Sequence, residues 1–375
     1  MIVKKAYDCY IEDKDCNQLI DTTMGSGTQI IGHGNELIKK VSKIIKHGTI
    51  YSIQNAYTEK VNYLLKKHIN PDLHENYIFC NSGTEANMRA CRLARAHTGK
   101  DIIGRFHGGW HGSIDGFLEE HIDNRGIPIS TNSLIEVLPY NDEECFNKIN
   151  SNFAAVIIET VQGSNPRSDI KDFLQKLRKR CDEAGVLLIL DEVMTGFRLS
   201  KTGGAGIFDI KPDIVTYGKV LGGGFPIGAL GAKSHIMETQ NVFYGGTFSA
   251  NPLSMYAAKL ILETIIDQKL IQYDKLNMSG KIFRDSLNSY FMNEKKQLKV
   301  IGCGPLNRII FTDKFIKNRK ERDELESKNQ NEFYDELRKN GIFVNGNRLF
   351  HFSMCHTEDV INQIVHKIKM TSIKF

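Results

Sequence analysis

Two short stretches of the 375-residue chain carry side chains that could do chemistry together. The apolar run Val186 to Leu190 ends in the acidic pair Asp191-Glu192. A second β-prone run, Ile214 to Thr216, stops just short of Lys219, with the glycines Gly222 to Gly224 soon after. An acid and a lysine at the exits of two buried strands meet in one crevice if the strands belong to the same parallel sheet. The lysine could then form a Schiff base and the acid hold a ring nitrogen, the two protein groups that pyridoxal phosphate (PLP) chemistry requires. The same residues also read as a surface lysine and a strand-end acid that never meet. This stretch alone leaves both open.

Other motifs bear on the choice. Ser82-Gly83-Thr84-Glu85 lies between a strand-like run and a helical one, where unpaired N–H groups and the helix dipole favour a phosphate. By itself the tetrapeptide reads more readily as a plain helix cap. His107 to Gly112 reads HGGWHG and holds the single tryptophan, Trp110, among glycines, which suits a platform for a planar ring. His107 and His111 are four apart, but the glycines between them make a poor helix and no third ligand matches, so a metal site is not expected. Glu159 closes the run AAVIIE and falls on the same sheet edge as Asp191, and Thr247 sits in the small-residue loop GGTFSANP ahead of a helix. No GxxxxGK is present, and no GxGxxG follows a strand, so nucleotide binding by those routes has only the α/β pattern behind it.

The elements that must position these residues follow from periodicity. Residues 4–24 read as a hairpin turning near Glu12–Asp15, followed by a glycine-rich loop from Thr23 to Asn35 and two helices, the second over Glu59–His68. From Tyr77 the rhythm is strand, loop, helix, repeated through YIFC, DIIGRF, LIEVLPY, AAVIIE and VLLIL, with a helix over Lys171–Ala184. That alternation predicts an α/β fold with a mostly parallel, doubly covered sheet. A helix starting at Pro252 leads into strand-like runs at Val300–Ile301, Asn307–Phe311 and Arg348–Ser353, with helices over Arg322–Asn340 and Glu358–Met370, the latter capped by Thr357. The expected division is an N-terminal segment (1–45) joining a small α+β domain (256–375), and a large domain (46–255).

Bulk properties exclude several classes. The net charge of +5 comes from 49 basic and 44 acidic residues that are interspersed, without the aromatic-interleaved basic patch of a nucleic-acid binder. The eight cysteines show no CxxC pair and several lie in apolar runs, which fits reduced thiols. The N-terminus MIVKKAYDCY does not read as a signal peptide, and no run is apolar enough to span a bilayer, so a cytoplasmic location is expected.

NSGTEA, Trp110-His111-Gly112, LDEVMTGFR, YGKVLGGGFPIG and GTFSANP occur here in the order they have in class-III PLP-dependent aminotransferases. The chain resembles that family from about Tyr7 to its end, and within it the glutamate-1-semialdehyde 2,1-aminomutase branch. The 28-residue separation of Asp191 and Lys219 also suits the family. The resemblance implies a fold type I PLP-dependent transferase with a mostly parallel large domain and a small α+β domain. It implies that Lys219 carries the cofactor and shuttles a proton, and that Asp191 partners the ring nitrogen. Trp110 and Val193 would flank the ring, and Gly83 and Thr84, with Ser82 nearby, would hold the phosphate. His111 and Glu159 match positions close to the cofactor. Thr247 matches a residue supplied by the other subunit, which implies a homodimer.

Relative to the aminomutase branch, the chain begins close to the hairpin, without the segment whose arginine holds the substrate carboxylate there. Gly27-Thr28 falls where that branch has a tryptophan nearby, and Phe117 to Ser130 is shorter than its mobile gating loop. A mutase must retain its intermediate, so these differences favour an intermolecular aminotransferase. It would take glutamate or alanine as donor and a small carbonyl acceptor, sugar-like or phosphorylated. Arg348, Arg167 and Arg198 are the candidate carboxylate forks, although each reads more readily as a surface residue. The alternatives are the aminomutase and a PLP-binding protein without catalysis.

Overall fold

The computed structural model describes residues 1–118, 125–325 and 330–375. The backbone forms two compact units: Met1–Lys40 with Gly163–Ser168 and Gln268–Phe375, and Val41–Gln162 with Asp169–Asp267.

In the first unit, β1 (Val3–Tyr7), β2 (Tyr10–Asp13) and β3 (Gln18–Asp21) form an antiparallel meander. The loop after β3 is pinned by Asp21, which accepts the Thr23 N–H (2.8 Å) and bonds the His33 ring (2.8 Å). Asn35 caps the next helix, Glu36–Ile44, by accepting the Leu37 N–H (2.9 Å).

The second unit is built on seven strands: β4 (Ile78–Cys80), β5 (Ile102–Phe106), β6 (Ile135–Leu138), β7 (Phe153–Glu159), β8 (Leu187–Asp191), β9 (Ile214–Tyr217) and β10 (Gly228–Ala232). Their order is β4-β10-β9-β8-β7-β5-β6. Strands β6, β5, β7, β8 and β9 run parallel, whereas β10 is antiparallel to both β4 and β9. Every residue of β7 is buried, as a strand covered on both faces requires, and this explains its unbroken apolar run. Strand β10, GALGA, was not expected. It has no branched or aromatic residue to announce it, and its glycines admit Tyr77 and the Ser82 backbone at close range. The helix Pro252–Asp267 packs in this unit against the helix Ala56–His68.

The rest of the first unit adds β11 (Lys299–Cys303) paired with β12 (Leu306–Ile310), β13 (Ile342–Phe343) parallel to β3, and β14 (Phe350–His351) on β12. Its core joins Phe283, Leu287 and Phe291 of the helix Tyr273–Asn293 to Phe350, Phe352, Ile361 and Ile364. The expected strand at Arg348–Ser353 shortens to two residues, because Arg348 has φ +57° and breaks the extended run. The expected helix over Arg322–Asn340 is found as Arg319–Leu325 and Gln330–Lys339, and residues 326–329 lie outside the described residues. So do residues 119–124, within the stretch that sequence comparison marked as short. Thr357 caps the last helix, Glu358–Ser372. All eight cysteines are free thiols, six of them buried. Among the described residues no helix is long and apolar enough to cross a membrane.

Candidate active site

Three parallel strands end in one row. Glu159 of β7 pairs with Asp191 of β8, which pairs in turn with Thr216 of β9. Residues opposite one another on adjacent strands share a face, so the two acids and the hydroxyl stand side by side at the carboxyl edge of the sheet.

Asp191 is almost wholly buried and thoroughly held. Its Oδ2 bonds the His111 Nδ1 (2.7 Å) and accepts from the Asn87 Nδ2 (2.7 Å), and its Oδ1 accepts the Val193 N–H (2.9 Å). Opposite a carboxylate, Nδ1 is the protonated nitrogen of His111. Three donors satisfy much of the charge's solvation need, which is the condition for keeping a carboxylate inside a protein. The adjacent Glu192 points to the other side, as strand alternation dictates. It accepts from the Thr195 hydroxyl (2.5 Å) and the N–H groups of Gly204 (3.0 Å) and Ala205 (2.6 Å), fastening the turn after β8. The acidic pair therefore divides into one site residue and one structural residue.

Glu159 accepts the Trp110 N–H (3.0 Å), which fixes the HGGWHG loop over the strand ends. Burial, reinforced by the charge of Asp191, pushes its carboxyl up to about 7 against the opposing pull of His111, the Trp110 N–H and Lys219. Lys219 follows β9 with φ +41°, a strained backbone for a residue with a side chain and one that commonly marks a working site. Burial lowers its amine below the usual lysine range; the carboxylates of Asp191 and Glu159 oppose this and Arg198 adds to it. A lysine with a lowered pKa is a better nucleophile at neutral pH.

The other end of the site is the helix Gly83–Thr98. Ser82 is its N-cap and accepts the Glu85 N–H (3.2 Å), which leaves the Gly83 and Thr84 N–H groups without intrahelical acceptors. Glu85, the acid in this first turn, bends back to the Asn81 N–H (3.1 Å). Gly112 has φ +95°, and a side chain there would collide with Thr84, so the tryptophan loop closes directly on the helix start. A Cβ on Gly83 would lie 2.6 Å from Val193 Cγ1, so Val193 packs against that glycine. Trp110 is 51% exposed, its ring free to cover something.

Ser82, Gly83, Thr84, Trp110, His111, Glu159, Asp191, Val193 and Lys219 are thus gathered within one unit. Thr247 is exposed on the loop before the helix Pro252–Asp267, and none of these contacts includes it. The candidate arginines are not surface forks. Arg348 bonds Gln330 and Asn331 and lies over Tyr334; Arg167 bonds the Ile316 carbonyl and lies over Phe315; Arg198 is wholly buried and bonds the Met194 carbonyl. Two contributors went unnoticed in the sequence, Asn87 and Thr216. Asn87 lies one helical turn after Gly83, and that spacing puts it on the same helix face.

A large, mostly parallel sheet of this kind is the architecture of the fold type I PLP-dependent transferases. The model of the class-III aminotransferase family matches residues 1–370, and the chain belongs to that family. A glutamate-1-semialdehyde 2,1-aminomutase of Methanosphaera stadtmanae is 33% identical over 394 residues, covering 99% of this chain and 91% of that protein. Among solved structures, an omega-transaminase from Sphaerobacter thermophilus superposes with a TM-score of 0.89 at 25% identity, covering 99% of this chain and 90% of that one. A transaminase with PLP bound superposes with a TM-score of 0.87 at 25% identity, covering 100% and 90%. The chain is a PLP-dependent enzyme of this class.

The residues present fit that cofactor. Two free N–H groups and two hydroxyls at a helix N-terminus suit a phosphate. An exposed indole and the Val193 side chain suit the two faces of a planar ring. A buried carboxylate with acceptor capacity left on Oδ1 suits a ring N–H, and an amine with a lowered pKa suits covalent attachment.

Proposed function

We propose that the chain is an aminotransferase that moves an amino group from an amino acid of glutamate or alanine type to a small carbonyl acceptor, sugar-like or phosphorylated, in two successive half-reactions. The observation that carries amino transfer is the row of strand ends that sets Asp191 between Glu159 and Thr216, with the buried Lys219 three residues beyond Thr216. When bound, the cofactor supplies an electron sink for the carbon that bears the amine. Lys219 would hold it covalently and then, released, take and return the proton at that carbon through its Nζ. Asp191 would keep the ring nitrogen protonated by presenting a full negative charge to it. Ser82, Gly83 and Thr84 would hold the phosphate, Trp110 and Val193 would exclude water from the ring faces, and Glu159 and His111 would set the local charge. Thr247 would reach the site of a second copy, giving a cytoplasmic homodimer.

The internal commitments of Arg348, Arg167 and Arg198 support an acceptor that is not gripped by its carboxylate through those groups. A second reading, intramolecular aminomutase, has one observation in its favour: the 33% identity to a protein of that name. The two separate on one experiment. With glutamate 1-semialdehyde as the sole amine, the proposed enzyme forms no 5-aminolevulinate at a useful rate, while a donor-and-acceptor screen read by cofactor absorbance finds a productive pair. Rapid isomerisation would establish the mutase. A donor panel that never changes the spectrum would leave a binding protein without catalysis.

A further inference from the structure

We infer that Asn87 and Thr216 form a neutral positioning relay that sets the Asp191 carboxylate in its working orientation before the cofactor arrives. The inference rests on Asp191 being the acid that meets the ring nitrogen. The amide of Asn87 is wholly buried and bonded at both ends. The Thr216 hydroxyl donates to its Oδ1 (2.6 Å), while its Nδ2 donates to Asp191 Oδ2 (2.7 Å) and to the His111 carbonyl (3.1 Å). Turning the amide over would set an oxygen against both the Asp191 carboxylate and the His111 carbonyl, so these two acceptors fix which end of Asn87 faces Asp191, and the Thr216 hydroxyl anchors the opposite end. Asn87 and His111 together occupy Oδ2, and the Val193 N–H takes one acceptor position of Oδ1, which directs the remaining capacity to Oδ1.

The choice of an amide matters. A lysine or arginine at this point would hold the carboxylate as firmly but neutralise it, and the acid would then lose its grip on a protonated ring. Asparagine restrains without adding charge. Its second bond, to the His111 carbonyl, also ties the tryptophan loop to the same helix, so one side chain joins the helix, β8, β9 and the loop. Asn87 touches no reacting atom in this account and is a positioning residue.

The test is PLP affinity of the apoprotein, measured by absorbance titration beside thermal unfolding of the same apoprotein. Asn87→Leu removes the donor at similar volume and should weaken PLP binding about 10- to 100-fold, the cost of one charge-assisted hydrogen bond at a buried carboxylate. Thr216→Val keeps the shape and leaves the buried Asn87 Oδ1 without its donor, so the side chain is held less firmly and binding should weaken in the same direction by a smaller factor. Thr216→Ser, which retains the hydroxyl, should bind as wild type. Asn87→Asp supplies the signature that a structural role would not move. A carboxylic acid there can donate one bond, to Asp191, but not the second to the His111 carbonyl, and it donates only while the two buried carboxyls share a proton, which rising pH removes. Its affinity relative to wild type at the same pH should therefore be highest near pH 6, still below one because the His111 bond is lost, and fall about a further tenfold by pH 9. His111, Glu159 and Lys219, the titratable groups facing Asp191, are present in both proteins, so the pH dependence of the ratio reports the added carboxyl together with the shifts it imposes on them. Wild-type affinity in Asn87→Leu, or a pH-independent ratio in Asn87→Asp, overturns the inference. Asp191→Asn is the control: if it too binds PLP as wild type, the assignment of Asp191 itself fails, and the relay with it.

Discussion

Replacing Gly83 by alanine tests the packing of the cofactor cradle. The backbone at Gly83 is ordinary helix, so the substitution adds no torsional strain, and alanine is the better helix former by up to about 1 kcal/mol. What it adds is a Cβ 2.6 Å from Val193 Cγ1 and 2.8 Å from Cγ2. Comfortable carbon contacts begin near 3.5 Å, so Val193 must move by roughly 0.9 Å. Overpacking of this kind costs about 1–3 kcal/mol, which leaves the apoprotein about 0–2 kcal/mol less stable after the helix gain. PLP affinity should fall as well, because Val193 and the Gly83 N–H both border the cradle. Val193→Ala alone should also destabilise. The two together should be milder than their sum by about 1–3 kcal/mol, since both clashing methyls are gone and only the Val193 Cβ position, at 3.3 Å, remains close. Urea unfolding of the four apoproteins supplies the double-mutant cycle, and PLP titration supplies the affinities. Additivity within about 0.5 kcal/mol would refute the packing described here.

Three further outcomes follow from buried groups. His356 accepts the Ser353 N–H at Nδ1 (3.1 Å), and burial holds its ring down to about 4. The unfolded chain gains a proton near pH 6.5 that the folded state refuses, so this group's contribution is complete above that pH and is lost as pH falls toward 4. The loss is about 3 kcal/mol, and His356→Asn should flatten that part of the stability profile measured by urea unfolding. Glu192→Gln must set an NH₂ against either the Gly204 and Thr195 donors or the Ala205 donor. It should cost about 1–3 kcal/mol in thermal or chemical unfolding, and an unchanged midpoint would contradict the bonding described. Asp213, held by Arg178 (2.8 Å) and Lys233 (2.6 Å), is depressed despite its burial, so its contribution is present above the carboxylate range and fades in acid. Asp213→Asn should cost on the order of 3 kcal/mol at pH 7 and progressively less as the pH is lowered, read from paired unfolding curves.

Much of the sheet was legible because its strands are buried on both faces and must be apolar throughout, as in AAVIIE and VLLIL. The chemistry was legible for a related reason: residues at strand exits and helix starts are where backbone geometry concentrates side chains and free N–H groups. Strand β10 escaped because glycine and alanine report no period, and the pairing that makes it a strand comes from distant chain. Asn87 escaped because it sits inside a helix among small residues, and its role depends on partners 24 to 129 positions away. The burial of Arg198 and the internal bonds of Arg167 were equally hidden, since a lone arginine in sequence carries no record of what encloses it.

The most direct test of the account is the site of cofactor attachment. The holoenzyme is reduced with borohydride, digested, and the pyridoxyl-bearing peptide is sequenced by mass spectrometry, with Lys219→Ala treated in parallel. The account predicts modification at Lys219 alone, and none in the variant. Modification at another lysine, or a reducible adduct that survives Lys219→Ala, would contradict it.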